Sequence, residues 1–458
     1  MIFSRIKQFV SRTVGKSKSA RTPGVRVRKQ VIPRDQHEVS RREISDNALK
    51  VLYRLNKAGY EAYLVGGGVR DILLGLHPKD FDVATDAKPE DVQKVFRNCR
   101  LIGRRFRLAH VLFGQDVVEV ATFRAVNDDA PQTEHGMVLR DNVYGTIEDD
   151  AVRRDFTVNA LYYNIADFSI VDFVGGLKDL QKRTLRLIGD PETRYREDPV
   201  RMLRAARLAA KLDFKIEAKT REPILQHGSL LKNVSNARLW DECAKLFLTG
   251  HGLASFEQLE ALNLTKVLFP GPAAMMHKHP EVKALIETAL RNTDARIAEQ
   301  KGVNPAFLFA VMLWPSVAAE YEKRLKRNVP PAPALQDAAT EVLDRQHEVT
   351  AIAKRFSQVM REMWALQHRF AQRTPSRAEK LLTLPRFRAA FDLLALRAEA
   401  GEPLQELVDW WAEYQIADAD GRQALLRQVD KPDSKNGNGE RKRRPRRRGP
   451  RKAVAKSE

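Results

Sequence analysis

The spacing of apolar residues changes near Glu197, and this change limits the folds that the chain can adopt. Before it, short apolar runs alternate with polar residues at the two-residue period of β-strands. After it, apolar residues recur every three or four positions through most of residues 197–429, which is the period of amphipathic helices. The pattern predicts an α+β protein, in which a small mixed β-sheet is followed by an extended all-helical body.

Positive charge is concentrated at the two ends of the chain. Residues 1–43 hold 12 Lys and Arg against 3 Asp and Glu, residues 431–458 hold the same numbers, and the net charge of all 458 residues is +20. Because blocks of like charge with few aromatic residues resist collapse, we expect disordered basic termini that bind a polyanion through counterion release. The alternatives are an organelle-targeting segment for the first arm and a solubility tail for the second.

The composition also excludes several classes of protein. No apolar run approaches the roughly 20 residues that cross a bilayer, so we expect no transmembrane segment. The chain has two cysteines, Cys99 and Cys243, which lie far apart in the sequence. This excludes a disulfide scaffold and a thiolate zinc site, and it fits a reducing compartment. Peripheral contact with a membrane stays open.

Two aspartates occupy alternate positions in the segment KDFDVATD. Side chains two positions apart in a strand point to the same face, so we expect Asp80 and Asp82 side by side, with Phe81 turned into the core. Adjacent carboxylates repel unless a cation lies between them, and carboxylate oxygens at this spacing suit magnesium. Taken alone, such a pair is more often a solvated strand surface without a function.

The neighbouring segments favour a functional pair. The turn GGGVRD (66–71) lets the backbone approach a triphosphate, and it opens a helix whose N–H groups suit phosphate. Glu119 lies between valines on a nearby predicted strand, where an acidic residue is costly to bury unless it is paired or metal-bound. Three carboxylates beside a phosphate-binding turn indicate a two-metal phosphoryl or nucleotidyl transfer site.

Four ordered motifs, which span roughly residues 60–270, resemble those of the class II nucleotidyltransferases. This family contains the poly(A) polymerases of bacteria and the CCA-adding tRNA nucleotidyltransferases. The motifs are LVGGGVRD followed by DFDVATDA, RRDFTVNAL (153–161), DFVGGLKDL (172–180) and EDPVRMLRAARLAAKL (197–212). Their common order and spacing make the resemblance specific.

The resemblance implies roles for individual residues. Asp80 and Asp82 match the metal-binding pair that activates the primer 3′-hydroxyl and holds the triphosphate; Asp155 is the further catalytic position, and Glu119 the candidate third carboxylate. Asp198 and Arg201 would share a helix face and read the base edge, with a surface salt bridge as the alternative. The expected nucleotide-binding residues are Gly66, Gly67, Arg70, Asp71, Arg154, Asp198, Arg201 and Arg204.

The resemblance and the charge pattern together divide the chain into five predicted parts. These are a basic disordered N-terminal arm (1–43), a nucleotidyltransferase catalytic or palm domain (44–196), a helical nucleotide- and RNA-binding neck (197–275), a helical body with a C-terminal RNA-binding domain (276–430) and an arginine-rich disordered tail (431–458).

Features outside the shared motifs favour a poly(A) polymerase over a tRNA enzyme. The segment LIGRRFRLAHVLF (101–113) resembles one that distinguishes the polymerases, and its arginines beside Phe106 suit a nucleic-acid backbone and a stacked base. A strand edge with solvated arginines is the alternative. Primers of arbitrary sequence also call for binding through the backbone, which basic arms supply. The expected RNA-binding residues are Arg104, Arg105, Arg107, Arg443, Arg444, Arg446, Arg447 and Arg448.

The resulting hypothesis is template-independent addition of AMP from ATP to RNA 3′ ends, which marks RNAs for decay and quality control. The expected cofactors are two Mg²⁺ ions, for which Mn²⁺ can substitute. We expect a monomer in the bacterial cytoplasm, with RNA 3′ ends and the RNA-decay machinery as partners. The alternatives are a CCA-adding tRNA nucleotidyltransferase and a non-catalytic RNA-binding scaffold; the intact pair Asp80 and Asp82 argues against the scaffold.

Overall fold

A mixed β-sheet forms the N-terminal half of the structure, a computed structural model that describes residues 27–103, 107–125 and 143–429. Within these ranges the sheet has eight strands in the order β1-β8-β7-β2-β3-β6-β5-β4. They are β1 (Gln30–Ile32), β2 (Ala62–Val65), β3 (Asp82–Thr85), β4 (Cys99–Ile102), β5 (Leu108–Phe113), β6 (Asp116–Thr122), β7 (Leu161–Asn164) and β8 (Ile170–Asp172). The pairing of β3 with β6 is parallel and the other pairings are antiparallel. This confirms the predicted mixed sheet.

Five helices accompany the strands of the sheet in the described ranges. They are α1 (Asp46–Lys57), α2 (Gly67–Leu73), α3 (Pro89–Val95), α4 (Ile147–Arg153) and α5 (Gly176–Gln181). Helix α1 begins after Ser45, whose hydroxyl accepts a hydrogen bond from the amide of Ala48. Its buried residues are those that the helical period predicts: Ala48, Val51, Leu52 and Leu55. The chain leaves the helix through Gly59, whose positive φ of 91° suits glycine.

The rest of the described chain is helical apart from a second, two-stranded sheet formed by β9 (Thr184–Leu185) and β10 (Lys215–Ile216). The helices are α6 (Pro191–Glu197), α7 (Val200–Leu212), α8 (Ala218–His227), α9 (Asn236–Phe247), α10 (Gly252–Ala261), α11 (Thr265–Leu268), α12 (Pro270–Met276), α13 (Pro280–Ala298), α14 (Pro305–Lys326), α15 (Pro331–His347), α16 (Lys354–Gln367), α17 (Pro375–Leu382), α18 (Phe387–Glu399), α19 (Gln405–Ile416) and α20 (Ala419–Val429). This confirms the predicted helical body.

The N-terminal boundary of the folded part differs from the prediction, which placed residues 1–43 in a disordered arm. Residues 30–32 form β1, which pairs with β8 so that Val31 lies opposite Val171. Two short 3₁₀ turns, Arg34–Gln36 and Arg41–Glu43, then lead into α1. The sequence pattern misses β1 because three residues are too short to show a period, and their place depends on a strand about 140 positions later.

The apolar core joins the sheet to the helical body. One cluster of buried side chains runs continuously from Ile32 through the sheet and α7 to Leu396 in α18. A second cluster surrounds Trp411 and extends from Leu366 to Leu425. Helices α16 and α18 therefore contribute to both clusters, whereas α17, α19 and α20 pack around the second one. Both cysteines are buried and unpaired, and no helix in the described ranges is long and apolar enough to cross a membrane.

We expect Trp411→Ala to destabilise the second cluster selectively. Trp411 is fully buried, and its indole N–H donates to the carbonyl of Phe370 at 3.0 Å, so truncation leaves a cavity and costs about 3–5 kcal/mol. The change should expose α17 to α20 to limited proteolysis while leaving the sheet protected. Ile416→Ala, on the same helix at 88 % exposure, is the control and should change neither the thermal melt nor the cleavage pattern.

Candidate active site

The three predicted acidic residues lie at one end of the central strands. Strand β3 begins at Asp82, and its parallel register with β6 sets Val83 opposite Val120, so Asp82 lies level with Glu119. Asp80 comes two positions before Asp82; both are exposed, whereas Phe81 packs against the main core. This is the arrangement that the D-x-D spacing predicts, although Asp80 and Phe81 precede the strand itself.

Gly66 brings the glycine turn close to Asp82. It lies between β2 and α2 with a φ of 75°, a conformation that favours glycine. A β-carbon placed on Gly66 would lie 3.8 Å from Oδ2 of Asp82 and 3.7 Å from Nη1 of Arg154. A residue with a side chain would therefore fill the space between an acidic and a basic group. The turn leaves this space open.

The negative charges of the acidic residues repel one another. Although solvent reaches the carboxylate of Asp82, the surrounding protein atoms displace much of its hydration, and this loss together with the charge of Glu119 raises its pKa to about 6. Asp80 acts in the same direction, while Arg154 and Arg204 oppose the shift. The site thus carries more negative charge at Asp82 than its surroundings neutralise.

Arg154 presents the basic group on the other side of the Gly66 turn. Its Nε donates to Asp150 at 3.1 Å and to the hydroxyl of Tyr162 at 2.9 Å, which fixes the guanidinium. Burial alone would lower the pKa of Arg154, but Tyr162 and Asp150 outweigh it and raise the pKa. Within the described residues no hydrogen bond occupies Nη1, the atom nearest Gly66. Arg154 can therefore offer this edge to an anion.

Asp155 ties the sheet to helix α7. Its Oδ2 accepts from Nε of Arg204 at 2.7 Å, and its Oδ1 accepts from the amide of Phe156 and the side-chain amide of Asn159. Burial by itself would raise the pKa of Asp155; the Arg204 guanidinium and these hydrogen bonds hold it well below its usual range. Both residues are among those predicted for the site, and here they bind each other.

Asn159 and Lys211 extend this ion pair into a closed ring of side-chain hydrogen bonds that also includes Arg70 and Asp71. The side-chain oxygen of Asn159 accepts from Arg70, Nε of Arg70 donates to Asp71 at 2.7 Å, and Lys211 donates to the other oxygen of Asp71 at 2.9 Å. Lys211 is seven residues after Arg204 on α7, so the ring starts and ends on one helix. A β-carbon on Gly67 would lie 3.5 Å from Nη2 of Arg70. The ring therefore supports the glycine turn.

The sequence predicts that Arg70 and Asp71 bind nucleotide, whereas it does not single out Asn159 and Lys211. Arg70 and Asp71 are both buried, at 4 % and 6 % exposure, with their hydrogen-bonding groups directed to protein partners. A role for these two in nucleotide binding stays a prediction. Asn159 lies inside the motif RRDFTVNAL, and Lys211 shares a helix face with Arg204, so both carried a local signal.

Asp198 and Arg201 lie at the junction of two helices, which differs from the single helix that the sequence predicts. Helix α6 ends at Glu197, and Asp198 adopts an extended conformation (φ −150°, ψ 91°) before Pro199, because the residue before proline disfavours the helical region. Asp198 accepts from Arg238 at 2.8 Å, while Arg201 donates to Glu197 at 2.9 Å. Their predicted role in reading the base stays untested by these contacts.

The predicted RNA-binding arginines are mostly outside the described residues. This applies to Arg104, Arg105, Arg443, Arg444, Arg446, Arg447 and Arg448. Arg107 is described: it precedes β5, its side chain is 54 % exposed, and Nη1 lies 2.5 Å from a carboxylate oxygen of Glu90. An exposed ion pair of this kind is weak. The role of Arg107 in RNA binding stays a prediction.

The donor set at Asp80 and Asp82 fits a hard divalent cation. Both residues offer carboxylate oxygens, and the raised pKa of Asp82 marks the excess negative charge that a cation would relieve. Within residues 27–103, 107–125 and 143–429, no group of three or more His, Cys, Asp and Glu side chains is close enough to hold a metal. Glu119 lies 3.8 Å from His110, and its role as the third carboxylate stays a prediction.

Three family models match the chain. The model described as "Poly A polymerase head domain" matches residues 62–186, "Probable RNA and SrmB- binding site of polymerase A" matches 213–276, and "Polymerase A arginine-rich C-terminus" matches 327–449. Together they cover more than half of the sequence. The first contains the acidic residues and the glycine turn described above.

Relatives and solved structures agree with these matches. Poly(A) polymerase I of Escherichia coli O6:H1 is 48 % identical over 98 % of this chain and 99 % of its own. A CCA-adding enzyme of Lactobacillus helveticus is 35 % identical over 53 % of this chain and 61 % of its own. A structure of a tRNA nucleotidyltransferase with a primer tRNA and an incoming ATP analog shares the fold, with a TM-score of 0.55 and 21 % identity over 83 % of this chain and 100 % of that one. The chain belongs to the bacterial poly(A) polymerase family of nucleotidyltransferases.

Proposed function

We propose that the protein adds AMP from ATP to the 3′ ends of RNA without a template. The observation that carries the proposal is the open space at Gly66, bounded by Oδ2 of Asp82 on one side and Nη1 of Arg154 on the other. A metal-bound triphosphate needs both kinds of group, because its cation requires carboxylates and its phosphate oxygens require donors. The 48 % identity to a full-length poly(A) polymerase supports the same function.

Each residue of the site has a separate role in the proposed reaction. The 3′ oxygen of the RNA bonds to the α-phosphorus of ATP, the bond from that phosphorus to the bridging oxygen breaks, and pyrophosphate leaves while the hydroxyl proton passes to solvent. Asp80 and Asp82 would hold two Mg²⁺ ions, or Mn²⁺ in their place, which supply Lewis-acid stabilisation of the attacking and leaving oxygens. Arg154 orients the triphosphate across the Gly66 turn. Asp155 keeps Arg204 in place and so aligns α7 with the sheet.

The nucleotide base is expected at the junction of α6 and α7. Asp198 offers an acceptor for the amino group of adenine, and Arg201 offers donors for a ring nitrogen. Their contacts with Arg238 and Glu197 hold both side chains in defined positions, which favours one base shape over others. We propose that this junction selects ATP.

The cellular part of the proposal follows from the same family. We propose that the protein acts as a monomer in the bacterial cytoplasm, that its tails mark RNAs for decay, and that components of the decay machinery are its partners. A CCA-adding activity is the second candidate, supported by the 35 % identity to a CCA-adding enzyme across about half of the chain. Full-length likeness to a poly(A) polymerase favours the first candidate.

We expect Asp80→Asn and Asp82→Asn each to lower AMP addition by about 100-fold or more, because loss of a metal ligand removes several kcal/mol of transition-state stabilisation. The measurement supplies an oligoadenylate primer, Mg²⁺ and each nucleoside triphosphate separately, and sizes the products. Asp116→Asn, in the hairpin between β5 and β6, removes an exposed carboxylate and should retain full activity. Addition of CMP that stops after a fixed number of steps would contradict the proposal and indicate the tRNA enzyme.

We expect Asp82→Asn to melt at a higher temperature than the wild type in EDTA at pH 7.5, by up to a few degrees. A group whose folded pKa is raised to about 6 favours the folded state while protonated, and this stability is lost as pH rises through 6. The difference in melting temperature between the two proteins should therefore increase from pH 4.5 to 7.5. Addition of Mg²⁺ at pH 7.5 should raise the melting temperature of the wild type and reduce the difference between the two proteins. A difference in melting temperature that changes with neither pH nor Mg²⁺ would show that Asp82 is not part of the metal site.

We expect Lys211→Met to slow AMP addition at saturating ATP and primer several-fold, although Lys211 does not line the space at Gly66. The change opens the ring that supports the glycine turn, and loss of the bond to Asp71 costs about 1–2 kcal/mol of stability. Steady-state kinetics and thermal melts give the two quantities. Lys94→Met, which breaks an exposed pair with Asp91, is the control. An unchanged kcat would show that the ring serves stability alone.

A further inference from the structure

His110 lies in the same row of the sheet as two acidic residues of the candidate active site. Strands β5 and β6 pair so that His110 lies directly opposite Glu119, and the parallel register of β3 with β6 sets Asp82 level with Glu119. Residues that lie opposite each other on neighbouring strands point to the same face of a sheet. The adjacent residues Ala109 and Val120 are buried in the first cluster, on the other face. His110, Glu119 and Asp82 therefore share the face that carries the site.

The imidazole ring of His110 has a buried nitrogen that lacks a hydrogen bond. Its Nε2 is shielded from solvent and has no hydrogen-bond partner among the described residues. Buried polar atoms without a partner are rare in folded proteins, because each one loses its hydrogen bonds to water without replacing them. The nearest carboxylate oxygen is Oε2 of Glu119 at 3.8 Å, which is beyond hydrogen-bond distance. The ring is thus close to an acceptor that it does not yet bind.

Glu119 is the acceptor that can satisfy this nitrogen. On the other side of His110, strand β4 places Arg100 opposite it, and a guanidinium can donate a hydrogen bond but cannot accept one. The side chain of Glu119 is 45 % exposed, and no other residue of the described chain forms an ion pair with it. A shift of the carboxylate by roughly 1 Å would bring Oε2 within hydrogen-bond distance of Nε2. The neighbouring carboxylate also favours the tautomer that carries its proton on Nε2.

We propose that His110 is a positioning residue for Glu119, in which Nε2–H donates to Oε2 and leaves Oε1 for the cation held by Asp80 and Asp82. The inference rests on the proposed function and extends the site to a residue that the sequence does not single out. Carboxylates that bind a metal are usually oriented by hydrogen-bond donors, and loss of such a donor lowers metal affinity or activity by about 10–100-fold. The charge of Glu119 already raises the pKa of Asp82, so the position of Glu119 affects how strongly the aspartates attract a cation.

The test compares His110→Leu, which removes the donor, with His110→Gln, whose side-chain amide can still donate to Glu119. His227→Leu is the matched control, because the side chain of His227 is also 24 % exposed and its Nε2 lies 3.4 Å from a carboxylate oxygen of Glu192. Affinity for Mn²⁺ is measured without nucleotide or RNA, from the EPR signal of the free ion. Steady-state kinetics give the Mg²⁺ concentration at half-maximal AMP addition, and thermal melts in EDTA verify folding.

We expect His110→Leu to weaken Mn²⁺ binding about tenfold and to raise the Mg²⁺ requirement by a similar factor, with an unchanged KM for RNA. His110→Gln should recover most of the affinity, and His227→Leu should bind Mn²⁺ as the wild type does. In EDTA, His110→Leu should melt at or above the temperature of the wild type, because it removes a buried nitrogen that lacks a partner. A lower melting temperature with unchanged Mn²⁺ affinity would show that His110 serves packing alone and would overturn the inference.

Glu119→Gln tests whether His110 acts through Glu119. Alone, this change should weaken Mn²⁺ binding at least as much as His110→Leu does. The double variant should bind Mn²⁺ no more weakly than Glu119→Gln alone, because two residues that act through one interaction have non-additive effects. Additive losses in the double variant, or a Mn²⁺ affinity that neither change alters, would overturn the inference. A wild type that binds Mn²⁺ but adds no AMP would instead overturn the proposed function.

Discussion

The ion pair between Arg204 and Asp155 is the contact on which the rest of the site depends. Asp155 is buried where its charge would be unfavourable without a partner, and Arg204 supplies that partner from the first helix of the body. Asp155 directly follows Arg154, so the pair that joins the sheet to α7 also fixes the arginine beside Gly66. Removing Arg204 would leave the largely buried charge of Asp155 without its ion-pair partner, which is more costly than losing a surface bridge; Arg204 itself is 36 % exposed. The contact between the sheet and α7 and the proposed orientation of the triphosphate by Arg154 therefore depend on one interaction.

The two sides of the Gly66 turn carry opposite charges that the surrounding protein does not fully pair. Around Asp82 negative charge is in excess, and its raised pKa records the repulsion; around Arg154 the charge is held by Asp150 and Tyr162 while Nη1 stays available. Perturbed groups of this kind cluster where a ligand completes the charge balance. A metal-bound triphosphate carries the matching pattern, cation toward the carboxylates and phosphate oxygens toward the guanidinium. The proposed site would therefore be complementary to its substrates before they bind, and the charge repulsion at Asp82 lowers the stability of the folded protein above pH 6.

Local pattern predicted those parts of the structure that depend on neighbouring residues. The buried face of α1 and the alternation of Asp80, Phe81 and Asp82 both follow from periodicity, and the structure confirms them. Strand β1 and the hydrogen bond of Arg70 to Asn159 depend on segments about 90 to 140 residues away, so no local pattern reveals them. The break at Asp198 did carry a local signal in Pro199, but the apolar period of α7 masked it.

The proposed selection of ATP requires the groups that would read the base to keep a fixed position relative to the acidic residues, and helix α7 supplies this connection. Its first turn lies beside Asp198, where the side chains proposed to read the base are held by Arg238 and Glu197. Further along the same helix, Arg204 binds Asp155 and Lys211 binds Asp71. Because α7 is a single helix with two contacts to the sheet domain, a change at either contact would shift the junction at Asp198 relative to Asp80 and Asp82.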